Sequence, residues 1–116
     1  MTNDIILYEY FTAQKKLKKN DKETILKEAI QLSNNIALNL VKHPKIKEVH
    51  LIRNKNIEKL FNKKIISHEV SEHKSLKNIL NNFKPGAKLI LVAPETQMIS
   101  IKLYNQLKKK FILLNS

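Results

Sequence analysis

Lys88-Leu89-Ile90-Leu91-Val92-Ala93-Pro94-Glu95-Thr96 is an apolar run that breaks abruptly into polar residues. Four consecutive apolar side chains, Leu89 to Val92, suit a strand buried on both faces, as strands are in a parallel sheet covered by helices. The break puts the carboxylate of Glu95 just beyond the carboxyl end of that strand. Asp4-Ile5-Ile6-Leu7-Tyr8-Glu9-Tyr10-Phe11-Thr12 has the same form at the start of the chain. In open α/β sheets the carboxyl edge is where ligands bind, because strand ends and helix N-termini converge there on a crevice lined with free backbone groups. The two segments are therefore expected to form one rim of a site.

Working outward, short apolar runs alternate with helical spacing, which predicts an α/β fold of three layers: a mostly parallel sheet of about five strands with helices on both faces. The predicted strands are Ile5 to Tyr10, Glu48 to Ile52, Ile65 to Val70, Lys88 to Val92 and Phe111 to Leu114. Ile25, Leu26, Ala29, Ile30, Leu32, Ile36, Ala37, Leu40 and Val41 recur at three and four, predicting a helix over Thr24 to Val41. Asp21 or Thr24 can cap its start, and Pro44 ends it. Shorter helices are predicted over Asn56 to Phe61 and over Ser75 to Phe83, with Ser75 as a cap. A last helix carries Met98, Ile101, Leu103, Tyr104 and Leu107 at helical spacing, so that Met98 and Tyr104 read as core. It closes on Lys108-Lys109-Lys110, where cations suit the helix dipole. Gly86, the only glycine, falls in a turn where positive φ is cheap.

At 116 residues and 42% apolar composition the chain reads as one domain with a real core. No apolar run is long enough to span a bilayer, and Met1 to Asp4 lacks the features of a signal peptide, so a cytoplasmic location is the default expectation. The absence of cysteine removes thiolate chemistry and disulfides. The net charge of +12 invites a nucleic-acid or polyanion reading through Lys15 to Lys22 and Lys108 to Lys110. Against it, Arg53 is the only arginine among 22 basic residues, and Lys lacks the bidentate fork used to read bases and phosphates. Lys, Ile and Asn are abundant together, the signature of A- and T-rich codons, so nucleic acid is not the expected partner.

A single glycine rules out the Gly-x-Gly-x-x-Gly fingerprint and the P-loop, which need backbone close to phosphate. Glu9 and Glu69 fit poorly the acidic cluster of a receiver domain, although a small flavodoxin- or receiver-like interaction domain stays open as an alternative. The histidines at 43, 50, 68 and 73 are scattered over turns and strands, and no metal site is expected from them.

Leu7-Tyr8-Glu9-Tyr10-Phe11-Thr12, Leu91-Val92-Ala93-Pro94-Glu95-Thr96 and Phe111-Ile112-Leu113-Leu114-Asn115-Ser116 resemble the N-terminal portion of archaeal ATP-grasp ligases, the group that includes tyramine:glutamate ligase. In that group a first strand ends in Glu-Tyr-x-Thr-Gly-Gly, a later one in Ala-Pro-Glu, and a Leu-Leu-Gly-Ser stretch leads into the ATP-grasp domain. The resemblance implies a Rossmann-like pre-ATP-grasp domain over residues 1–116, on the substrate side of an ATP-dependent carboxylate–amine ligase. Such a domain binds no cofactor and supplies no catalytic residue itself. ATP and magnesium belong to ATP-grasp domains outside these residues, in cis or on another chain.

Carried over residue by residue, the resemblance makes Glu9, Tyr10, Thr12, Glu95 and Thr96 the candidate contacts to a small amine or amino-acid substrate. Ala13-Gln14 stand where the family has two glycines, so close backbone approach to a ligand is not expected at that turn. Two plainer readings stand beside these. Glu9 can be a strand-end carboxylate, solvated or in an exposed pair with one of the many lysines, and Glu95 can complement a helix N-terminus. A homodimer is a further expectation.

Overall fold

The computed structural model describes residues 4–9, 22–70, 78–92 and 101–114, with the backbone alone for 22–26. Five strands form one sheet: β1 (Asp4–Glu9), β2 (Glu48–Asn54), β3 (Ile65–Val70), β4 (Lys88–Val92) and β5 (Ile112–Leu114). Every pairing is parallel, in the order β3-β2-β1-β4-β5. Helix α1 (Lys22–Val41) joins β1 to β2, residues 78–81 form helical α2 before β4, and α3 (Ile101–Lys110) joins β4 to β5. This is the predicted three-layer, Rossmann-like α/β architecture.

The order explains the layers. The chain moves outward from β1 to β3, returns past β1 to β4 and continues to β5. Because parallel crossovers are right-handed, reversing the direction puts the helices on opposite faces. On the α1 face, Ile5, Leu7, Val49, Leu51, Ile65, Ile90 and Val92 pack with Ala29 and Ala37. On the other, Ile6, Tyr8, Ile52, Val70 and Leu89 pack with Leu80 of α2, Leu107 of α3 and Phe111. Alternate residues of β1 thus enter different cores, and Ile6, Leu7 and Tyr8 have no exposed surface.

Local chemistry sets the ends of the elements. Helix α1 rests on the sheet through Ala29, Ser33 and Ala37, small residues that allow a close approach, while Leu32, expected on that face, is 54% exposed. Its C-terminal carbonyls are covered by the Lys64 ammonium, 3.1 Å from the Val41 oxygen, a cation where the helix dipole favours one. Gly86 adopts φ of 88°, as its turn requires, and its N–H donates to the Lys110 carbonyl at 2.7 Å. Lys110 in turn donates its ammonium to the Leu80 carbonyl at 2.8 Å, tying α3 to α2.

Two expectations are corrected. Asn56 to Phe61 is not a helix: the Asn54 side chain accepts from the Asn56 N–H at 2.9 Å, and its carbonyl accepts from Ile57. This closes one turn in place of a helical start, the usual competition from asparagine. Phe61 is left 86% exposed. Tyr104 is also outside the core, 39% exposed with the Lys108 ammonium over its ring, and Leu107 alone of α3 is buried. Met98 and the predicted caps Asp21 and Ser75 lie outside the described residues, and the Thr24 side chain is likewise not described.

Since β1 is central and buried from both sides, Ile6→Ala should lower unfolding free energy by about 2–5 kcal/mol. Ile112→Ala, on the edge strand, should change it by no more than about 0.5 kcal/mol. Urea unfolding of the two variants side by side checks this difference.

Candidate functional site

The sheet reverses its winding between β1 and β4, and in such folds the crevice beyond the carboxyl ends at that point is the ligand edge. In register Glu9 lies level with Val92 of β4, and Tyr8 pairs with Ile52, which brings Arg53 of β2 beside Glu9 on the other side. All three side chains point to the α1 face, since they continue the alternation that buries Leu7, Leu51 and Ile90 there. Residues 44 apart in sequence are thereby placed against each other at the end of the sheet.

Glu9 and Arg53 form a buried bidentate pair. Nε of Arg53 donates to Oε1 at 2.8 Å and Nη2 donates to Oε2 at 2.6 Å. The second Nη2 hydrogen goes to Oδ1 of Asn34 in α1 at 2.6 Å, and Nη1 donates to the Glu58 carbonyl at 3.0 Å. Glu9 has no exposed surface and Arg53 is 4% exposed. One guanidinium therefore joins β1, β2, α1 and the β2–β3 connection. Lysine cannot do this, because its point charge has no fork to match both carboxylate oxygens.

The row continues outward: Arg53 is the register partner of Glu69, and Glu69 accepts from the Lys59 ammonium at 2.7 Å. That outer pair is about half exposed, so it adds little stability. A cavity of about 10 Å³ lined by Arg53, Asn54, Ile57, Lys59, Ser67, His68 and Glu69 is at the lower limit for one water.

No family model, curated protein or solved structure matches this chain. Of the five predicted contacts, Glu9 stands at the end of β1, but it is neither solvated nor paired with a lysine at the surface: its carboxylate is buried against Arg53. With both oxygens held and no exposed surface, its carboxylate serves to orient Arg53 rather than to present itself at the rim. Tyr10, Thr12, Glu95 and Thr96 lie outside the described residues. Sequence reading missed Arg53 and Asn34 as site residues. The available signal was that a single arginine, in a chain otherwise lysine throughout, falls at the end of an apolar strand.

On the face of the sheet opposite α1 the structure also corrects the picture of scattered histidines. His50 Nδ1 is 3.0 Å from His68 Nε2, the rings stack at 5.2 Å, and Phe83 meets both edge-on at 5.1 and 5.6 Å. Burial, and then the neighbouring His50, lowers the His68 pKa from its ordinary value, favouring a neutral ring. No described helix is long and apolar enough to cross a membrane.

Removing one partner of the buried pair leaves the other charge uncompensated, so Glu9→Gln and Arg53→Met should each cost about 3–5 kcal/mol. The double variant Glu9→Leu/Arg53→Met, with no charge left to bury, should be more stable than either. Arg53→Lys should recover only part of the loss. Urea midpoints for the set test this; a double variant less stable than both singles would contradict it.

Proposed function

We propose that this chain is the substrate-side domain of an ATP-dependent carboxylate–amine ligase of the ATP-grasp kind, holding a small amine or amino acid at the carboxyl edge between β1 and β4. The observation that carries this reading is the adjacency of those strands. Two segments more than 80 residues apart in sequence, which together resemble the ligase motifs, leave the sheet from neighbouring strands, with Glu9 level with Val92. Residues that follow those positions, Tyr10, Thr12, Glu95 and Thr96, are the proposed substrate contacts. Glu9 and Arg53 form the floor beneath them.

The division of labour follows from the chemistry. The ligase reaction activates a carboxylate as an acyl phosphate and captures it with an amine. A chain with one glycine, placed in the turn before β4, has no glycine-rich loop to cradle ATP at this edge. ATP and magnesium are thus assigned to partner domains, in cis or on another chain. This domain orients the substrate, and holding the reacting groups in place is itself a large part of the rate enhancement in such reactions.

The test is a titration of the full chain with primary amines and amino acids, tyramine and glutamate among them, followed by backbone amide NMR. Shifts gathered at Glu9, Arg53 and Val92 are expected, with ATP and magnesium adding no tight binding by calorimetry. Tight magnesium-dependent ATP binding by this chain, or shifts confined to the amino ends of the strands, would overturn the reading.

A further inference from the structure

At the opposite edge of the sheet, the amino ends of β1 and β2 gather three metal-ligating side chains. Asp4 and Glu48 are direct register partners, and His50 follows two residues later on the same face of β2. One ligand atom from each lies within 4.8 Å of the other two. Glu48 Oε2 is 3.3 Å from His50 Nε2. That is roughly the separation of two ligands on a tetrahedral ion with bonds of about 2.0–2.1 Å.

Two further observations point to a cation at this place. Like charges directly opposite on neighbouring strands repel, and the chain carries 21 lysines that could offset them. Yet among the described residues no Lys or Arg pairs with Asp4 or Glu48, while Glu9 and Glu69 each have such a partner. His50 is also held as a ligand would be: His68 engages Nδ1 from behind, and Phe83 packs edge-on against the ring. Metal-binding histidines characteristically have their second nitrogen fixed in this way. This leaves Nε2 on the carboxylate side.

We propose that Asp4, Glu48 and His50 bind a divalent transition ion of the zinc class, with His68 as the positioning residue for His50. One imidazole with two carboxylates suits such an ion better than calcium or magnesium, which take oxygen ligands alone. Glu48 is 43% exposed at its side chain and His50 13%, so a fourth position is left to water. Asp4 also lines an open cleft of about 270 Å³ with Ile5, His43, Lys45, Ile46 and Lys88. The ion would clamp β1 to β2 at the end away from the Glu9–Arg53 pair. The two edges are separated by the length of β1, roughly 16 Å at about 3.3 Å per residue, so this site stands or falls apart from the proposed ligase role.

Calorimetry with zinc on the full chain, together with imidazole ¹⁵N NMR, tests the site. One ion per chain is expected, with the His50 Nε2 resonance moving on binding and a large excess of magnesium failing to compete. Asp4→Asn and Glu48→Gln should each weaken binding tenfold or more. His68→Gln should keep the stoichiometry and weaken affinity by roughly ten- to a hundredfold. Circular dichroism establishes that each variant is folded. Absence of zinc binding, binding unchanged in the Asp4→Asn/Glu48→Gln double variant, or an ion traced to His43 or His73 instead would overturn the proposal.

Discussion

The buried pair of Glu9 and Arg53 is the constraint around which the carboxyl edge is organised. An ionised carboxylate taken out of water costs several kcal/mol, and only a partner that meets both oxygens with good geometry offsets that cost. Arg53 does so and spends its remaining donors on Asn34 of α1 and the Glu58 carbonyl. Four separate pieces of chain must therefore be in place together before the charge is satisfied. The net gain over an apolar pair is small, whereas the cost of any arrangement that leaves Glu9 unpaired is large. The pair thus contributes more to fixing the alignment of β1, β2 and α1 than to total stability.

That alignment matters because of where it occurs. Parallel sheets that reverse their winding, as this one does between β1 and β4, characteristically take ligands at the carboxyl ends of those strands, and the floor of that edge on the β2 side is this ion pair. A rigid, internally neutral floor can hold neighbouring rim residues in position without competing for a charged ligand. Had Glu9 been solvated and free, it would have been a recognition group in its own right. Its burial against Arg53 removes it from that role.

The strands were legible from sequence because burial on both faces writes itself as continuous apolar runs: β3 and β4 fall on their predicted residues, and β1, β2 and β5 within one or two. Helix α1 was legible from its periodicity, yet its contact line was not, since Ser33 and the alanines do the packing while Leu32 is exposed. Residues 56–61 misled for a local reason, the Asn54 side chain outcompeting a weak helical pattern. Strand order left no mark in the residues at all. For the same reason neither the Glu9–Arg53 pair nor the His50–His68 contact could be foreseen, because each depends on which strands become neighbours.

Charge is the feature that the three-dimensional arrangement reinterprets most. A net charge of +12 carried almost wholly by lysine suggested a surface property, and the exposed Lys108 and Lys109 of α3 fit that description. The acidic residues are few, and their surroundings on the sheet differ sharply. Glu9 takes the chain's only arginine, the one cation able to follow it into the interior as a bidentate partner. Glu69 takes a lysine at the surface, where a point charge in water is adequate. Asp4 and Glu48 share the amino edge with an imidazole despite the abundance of lysine. Lys45 and Lys88 line the cleft beside Asp4, yet neither forms an ion pair with Asp4 or Glu48. On the reading proposed above, the amino edge is where a cation other than a side chain would be accommodated.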